Sequence, residues 1–135
     1  MKLILDTNAY VAFKLGYTEL TEYLVQAHSI FISPVMLGEL MFGFRAGGRF
    51  DKNMAELNRF LAHPVVEVLQ LTEITSDRYG RIAAGLKKNG TPIPANHIWI
   101  AAQIMESGAE LVTMDYHFKM IDGLVYRLFK NPQAS

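Results

Sequence analysis

Four short, continuously apolar runs dominate this chain: Leu3-Ile4-Leu5, Ile30-Phe31-Ile32, Val65-Val66-Glu67-Val68-Leu69 and Leu111-Val112-Thr113. Each is too short for a helix and lacks the alternation of a half-exposed strand, so each reads as a strand buried on both faces. A weaker fifth run over 124–129 fits an edge. Long stretches with helical spacing separate the runs. Parallel strands need such crossovers, and helices are what cover both faces of a parallel sheet. The expected fold is therefore α/β, a three-layer α/β/α sandwich around a mostly parallel central sheet.

The intervening segments carry their own boundaries. Ser33-Pro34 reads as an N-cap followed by Pro in the first turn, and Leu37, Leu40, Met41 and Phe44 repeat at i, i+3, i+4, i+7. Asp51 is the expected cap of a helix with Met54, Leu57 and Leu61, and Thr72 that of a helix with Tyr79, Ile82, Ala83 and Leu86, stopped by Gly90. Asn96 is the expected cap of a helix through Ile98, Ala101, Ala102 and Met105, apolar nearly all round and stopped by Gly108.

At 135 residues the chain is expected to form a single domain over 1–135, with 130–135 as a loose tail. Half of it is hydrophobic and 19% is charged, which excludes a disordered or collagenous chain. The absence of Cys excludes disulfides, thiolate metal sites and cysteine nucleophiles, and suits a reducing cytoplasm. Neither a membrane span nor an export signal is expected. Thirteen basic against thirteen acidic residues leave no bulk charge to grip nucleic acid, so a polyanion has to be held by local patches or by bound metal.

Two acids stand where parallel sheets build their sites, beyond the carboxyl ends of strands. Asp6 follows the first run and Asp115 the fourth, with Thr7, Asn8 and Thr113 close by to orient carboxylates or water. Asp6 alone has an ordinary reading as a helix cap; the pair of similarly placed acids points to a site. Glu39 lies among Val35, Met36, Leu37, Leu40, Met41 and Phe42. Buried there it needs a cation, a hydrogen-bond network or a proton, and on a narrow solvent-facing stripe it needs none. Asn96-His97 follow Pro92-Ile93-Pro94-Ala95, which puts His97 at the start of the apolar helix. Three carboxylates in one cleft repel, and a hard divalent cation relieves them; Mg²⁺ or Mn²⁺ so held aligns a phosphodiester and activates water.

Four segments in this order, Leu3-Ile4-Leu5-Asp6-Thr7-Asn8, Ser33 to Leu40, Ile93 to Ala102 and Leu111 to Phe118, resemble the PIN-domain ribonucleases, in particular the VapC-type toxins of toxin–antitoxin pairs. The resemblance spans almost the whole chain. It implies a PIN-like sandwich, a homodimer, an acidic Mg²⁺ or Mn²⁺ pocket and endonucleolytic cutting of RNA. It also implies a VapB-type antitoxin that blocks the pocket and reaches operator DNA on the toxin's behalf. By motif position Asp6, Glu39 and Asp115 match the family's acidic metal-site residues, and Thr113 its hydroxyl beside the last acid.

The chain departs from the family at His97, where Asp is usual. A neutral imidazole adds no charge and suits Mn²⁺ better than Mg²⁺, whereas an imidazolium replaces part of a metal's charge; the sequence leaves both open. The departure also sustains a second hypothesis, a weak or inactive module keeping dimer and antitoxin surfaces. A third, a phospho-accepting receiver, lacks the paired acids expected at the first strand. His117 reads as a surface residue with a lesser claim on phosphate. Arg45, Arg49 and Lys52, and Arg78, Arg81, Lys87 and Lys88, are basic groups without an assigned role.

Overall fold

The computed structural model describes residues 1–131; most of the expected tail over 130–135 lies outside the described residues. The strands are β1 (Lys2–Leu5), β2 (Ser29–Ile32), β3 (Val66–Val68), β4 (Glu110–Thr113) and β5 (Tyr126–Leu128), at the places where the apolar runs predict them. They form one sheet in the order β3-β2-β1-β4-β5, with every neighbouring pair parallel. The helices between them are α1 (Thr7–Lys14), α2 (Thr18–Leu24), α3 (Pro34–Ala46), α4 (Phe50–Leu61), α5 (Glu73–Lys88) and α6 (Ala95–Ser107). A short 3-10 turn, Tyr116–Met120, follows β4.

Side chains alternate across the strands, and that divides the core in two. Leu3, Leu5, Ile30, Ile32 and Val112 point to one face, where they meet Tyr10, Leu20, Leu24, Met36, Leu40 and Leu57 from α1 to α4. Ile4, Phe31 and Leu111 point to the other, against Leu86 of α5 and Ile98, Ile100 and Ile104 of α6. This is the expected three-layer sandwich. Helix α6 is buried through its middle, at Ile98 and from Ile100 to Ile104, as its nearly all-round apolar composition requires.

Several boundaries follow the sequence closely. Ser33 caps α3 by accepting from the Val35 N–H, with Pro34 in the first turn. Thr72 and Thr75 close a reciprocal capping box on α5. Gly108 ends α6 in the left-handed region at φ 70°, a conformation open to glycine at little cost. Two caps differ from expectation. Helix α4 starts at Phe50 with Arg49 in the cap position, so Asp51 sits in the first turn, where its charge still faces the helix's positive end. Pro94, not Asn96, precedes α6; Pro94 sets the extended entry and releases the Asn96 side chain for another use.

Chain order reverses around β1: the chain first builds outward through β2 and β3, then returns to lay β4 and β5 on the other side. The gap above β1 and β4 is thus the topological switch point, where parallel sheets open a crevice. Ile4 is fully buried in the strand beneath it. Ile4→Ala is expected to cost about 2–5 kcal/mol in urea unfolding, while Val25→Ala, at a site 76% exposed, stays within about 0.5 kcal/mol.

Candidate active site

Asp6 leaves β1 at the switch point and does two jobs at once. Its Oδ1 accepts from the Ala9 N–H at 2.8 Å, capping α1, and its Oδ2 accepts from the Thr113 hydroxyl. The capping reading of Asp6 is thus realised on one oxygen, while the other ties the residue to the end of β4. The Thr113 oxygen also accepts from the Asp115 N–H at 2.9 Å. The hydroxyl proton thus ties the end of β4 to that of β1, while its oxygen's lone pair holds the Asp115 backbone.

Glu39 reaches the same crevice from α3. One carboxylate oxygen accepts from the Thr7 hydroxyl and the other from the Asn96 amide, each at 3.0 Å. The acid among apolar neighbours is half-buried and satisfied by a network. Asn96 is the residue freed from capping: the second residue of α6, it spans the contact between α3 and α6. Asn8, also expected near the acids, is exposed on α1, and its side chain belongs to none of these bonds.

Asp115 caps the 3-10 turn, its Oδ1 accepting from the His117 N–H at 2.9 Å. The His97 Nε2 lies 3.4 Å from Asp115 Oδ2, and the His117 Nδ1 lies 2.9 Å from Asp115 Oδ1. The second contact is close but off the ring's hydrogen-bonding direction, so His117 Nδ1 has no hydrogen-bond partner among the described residues. The His97 ring packs against Phe118, with centroids 4.8 Å apart.

The neighbouring acids also bear on Asp6 electrostatically. Asp6 is only 4% exposed, and burial pushes its carboxyl from 3.8 up to about 6. The bonds from Thr113 and Ala9 oppose that rise, while the charges of Asp115 and Glu39 add to it. The same two carboxylates favour a charged His97, but burial outweighs them and holds the ring below its usual 6.5. Near neutral pH His97 is therefore uncharged, and its contact with Asp115 is polar, not an ion pair.

The acids, Thr7, Asn96, Thr113 and His97 line this crevice, and His117, which reads from sequence as a surface residue, lies beside Asp115. The only sequence signal for His117 was its spacing, two residues beyond Asp115, and its weight comes from the 3-10 turn that folds it back. The aromatic residues considered for stacking divide: Phe44 and Phe60 pack on the core, Tyr79 stacks on Trp99 at 4.3 Å, Phe50 lies under the Arg45 guanidinium and Phe42 is exposed.

The donor set fits a divalent cation. Three carboxylates, one of them buried and reluctant to ionise, form a crevice whose charge a cation would stabilise. Linkage gives a direct check. A carboxyl raised in the folded state confers stability that is present below 3.8 and lost as pH rises through about 6, amounting to roughly 3 kcal/mol for this shift. In the presence of a chelator, thermal melts are expected to show that loss between pH 4 and pH 6 or so, and Asp6→Asn should flatten the profile. An unchanged profile in the variant would assign the loss to other groups.

Comparisons with known proteins agree with this geometry. Residues 3–124 match the PIN domain family. The chain is similar to Ribonuclease VapC2 of Rickettsia felis, 29% identical over 130 residues that cover 93% of this chain and 96% of the relative. Its fold is similar to VapBC2 from Rickettsia felis bound to a promoter DNA fragment, with a TM-score of 0.86, 26% identity, and 96% of this chain and 100% of that one covered. It is also similar to VapBC-1 from nontypeable Haemophilus influenzae, with a TM-score of 0.84, 26% identity, and 95% and 98% covered. With a parallel sheet in this order, acids at its switch point and a match over nearly its whole length, the chain belongs to the PIN domain family.

Proposed function

We propose that this protein is a divalent-metal-dependent endoribonuclease, the toxin of a toxin–antitoxin pair, with Asp6, Glu39 and Asp115 as its metal-holding residues. The observation that carries the reading is the convergence of these three acids at the switch point of a PIN fold. The similarity to named VapC ribonucleases along almost the full chain supports RNA as the substrate.

Mg²⁺ or Mn²⁺ bound there supplies charge neutralisation and water activation for phosphodiester hydrolysis. The chain's own residues supply the rest. Thr113 holds the Asp6 carboxylate in place, and Thr7 and Asn96 fix both oxygens of Glu39, so the acids are positioned before any ligand arrives. His97 stands as a neutral neighbour of Asp115, a further lone pair at the edge of the site or a group that orients water. RNA-binding residues are not assigned.

Similar proteins crystallised as VapBC complexes, one of them on promoter DNA, support a VapB-type antitoxin that covers the crevice and carries any operator-DNA binding. A homodimer and cytoplasmic action accompany this reading, with 1–135 acting as one domain. No helix among the described residues is long and apolar enough to cross a membrane.

Purified protein incubated with mixed RNA and Mn²⁺ is expected to cut it, and Asp6→Ala to lower the rate by at least about a hundredfold. Equal rates in the two proteins would remove Asp6 from the reaction. Absence of cutting in every metal would favour the inactive module. Because neutral imidazole is a poor Mg²⁺ ligand, His97→Asp should raise the Mg²⁺-supported rate relative to the Mn²⁺-supported one; an unchanged ratio would place His97 outside the metal's reach.

A further inference from the structure

Beside the three acids the crevice holds a second donor set of different chemistry. One ligand atom from each of His97, Asp115 and His117 lies within 4.8 Å of the other two, a grouping that includes neither Asp6 nor Glu39. We propose that these three residues form a binding site for a borderline divalent transition ion of the Zn²⁺ class, sharing Asp115 with the carboxylate cradle. The proposal deepens the ribonuclease reading by naming the cation class taken at this end of the crevice, and it rests on that reading only for the role of Asp115.

The two histidines flank Asp115, each nearest a different carboxylate oxygen, so one ion shared by all three needs a modest turn of that carboxylate. Bonds of 2.0–2.1 Å to a tetrahedral ion put neighbouring ligand atoms about 3.3 Å apart. His97 Nε2 and Asp115 Oδ2 stand 3.4 Å apart, and His117 Nδ1 and Asp115 Oδ1 stand 2.9 Å apart. Three protein ligands leave the fourth position open, the arrangement of a zinc site that also takes water or a ligand.

The side chains are also held ready. Asp115 is anchored through its own N–H to Thr113 and by accepting the His117 N–H. His97 is packed on Phe118, and His117 on Tyr116 at 4.8 Å between centroids. The His117 Nδ1 is shielded from solvent yet makes no hydrogen bond, a cost that coordination would relieve. His117 itself is 42% exposed, so an ion can enter past its ring.

The donor chemistry separates this site from the cradle. Mg²⁺ asks for an octahedron of oxygens and dehydrates reluctantly, whereas two imidazoles and one carboxylate suit Zn²⁺ or Co²⁺. Occupation here draws on Asp115, so the two sites compete for one carboxylate.

Metal-stripped full-length protein titrated with Co²⁺, followed by visible absorption, reads the ion directly, without RNA cleavage; failure of the ribonuclease reading leaves the outcome interpretable. Expected is one Co²⁺ per chain with the strong bands of low-coordinate nitrogen and oxygen ligation, displaced by Zn²⁺ and retained in hundredfold excess Mg²⁺. His117→Ala should weaken binding by about a hundredfold, and His117→Gln, which keeps the bulk, by a similar factor. Asp6→Asn should change the affinity by less than about threefold. Binding indifferent to both His117 variants, or abolished by Asp6→Asn, would place the ion in the carboxylate cradle and overturn the proposal. So would displacement by Mg²⁺, or the need for millimolar Co²⁺.

Discussion

A carboxylate kept from water governs this crevice. Asp6 ends a strand buried on both faces, and the sheet leaves it nowhere to be hydrated. Both oxygens are therefore committed, one to the first turn of α1 and one to the Thr113 hydroxyl. Those two bonds set where α1 begins and how the end of β4 lies against β1. The neighbouring acids then have defined places, and the charge the cluster accumulates is what a divalent cation would neutralise.

Much of this was legible in the sequence because burial writes a plain pattern. Strands covered on both sides are runs without polar interruption, and all four strong runs became strands. Asp6 and Asp115 stood out because each follows such a run. Glu39 was legible as an anomaly, a charge among apolar residues that had to be satisfied, although its partners came from Thr7 and Asn96, 32 and 57 residues away in sequence. Contacts of that range depend on how helices cross and leave no local spacing to read.

The misreadings have the same cause. Asn96 looked like a cap because Asn is a good one, but Pro94 already fixed the entry to α6 and left the amide free to bridge to α3. Asp51 was favoured as a cap on the same propensity, and α4 begins one residue earlier. His117 read as a surface residue because a 3-10 turn after a strand has no strong sequence signal; only the fold shows the ring beside Asp115. The charge state of His97 depended on the balance between burial and nearby acids, which requires coordinates.

The bond between Thr113 and Asp6 joins residues 107 positions apart. Asp6 and Glu39 are made early in synthesis, but the bonds from Thr113 and Asn96 that complete their setting wait for the last third of the chain. A ribosome that has finished two-thirds of the chain therefore carries two of the acids and no site. Pairing of such distant strands is among the slower steps available to a folding chain. The crevice is therefore complete only once the last third of the chain has folded onto the first.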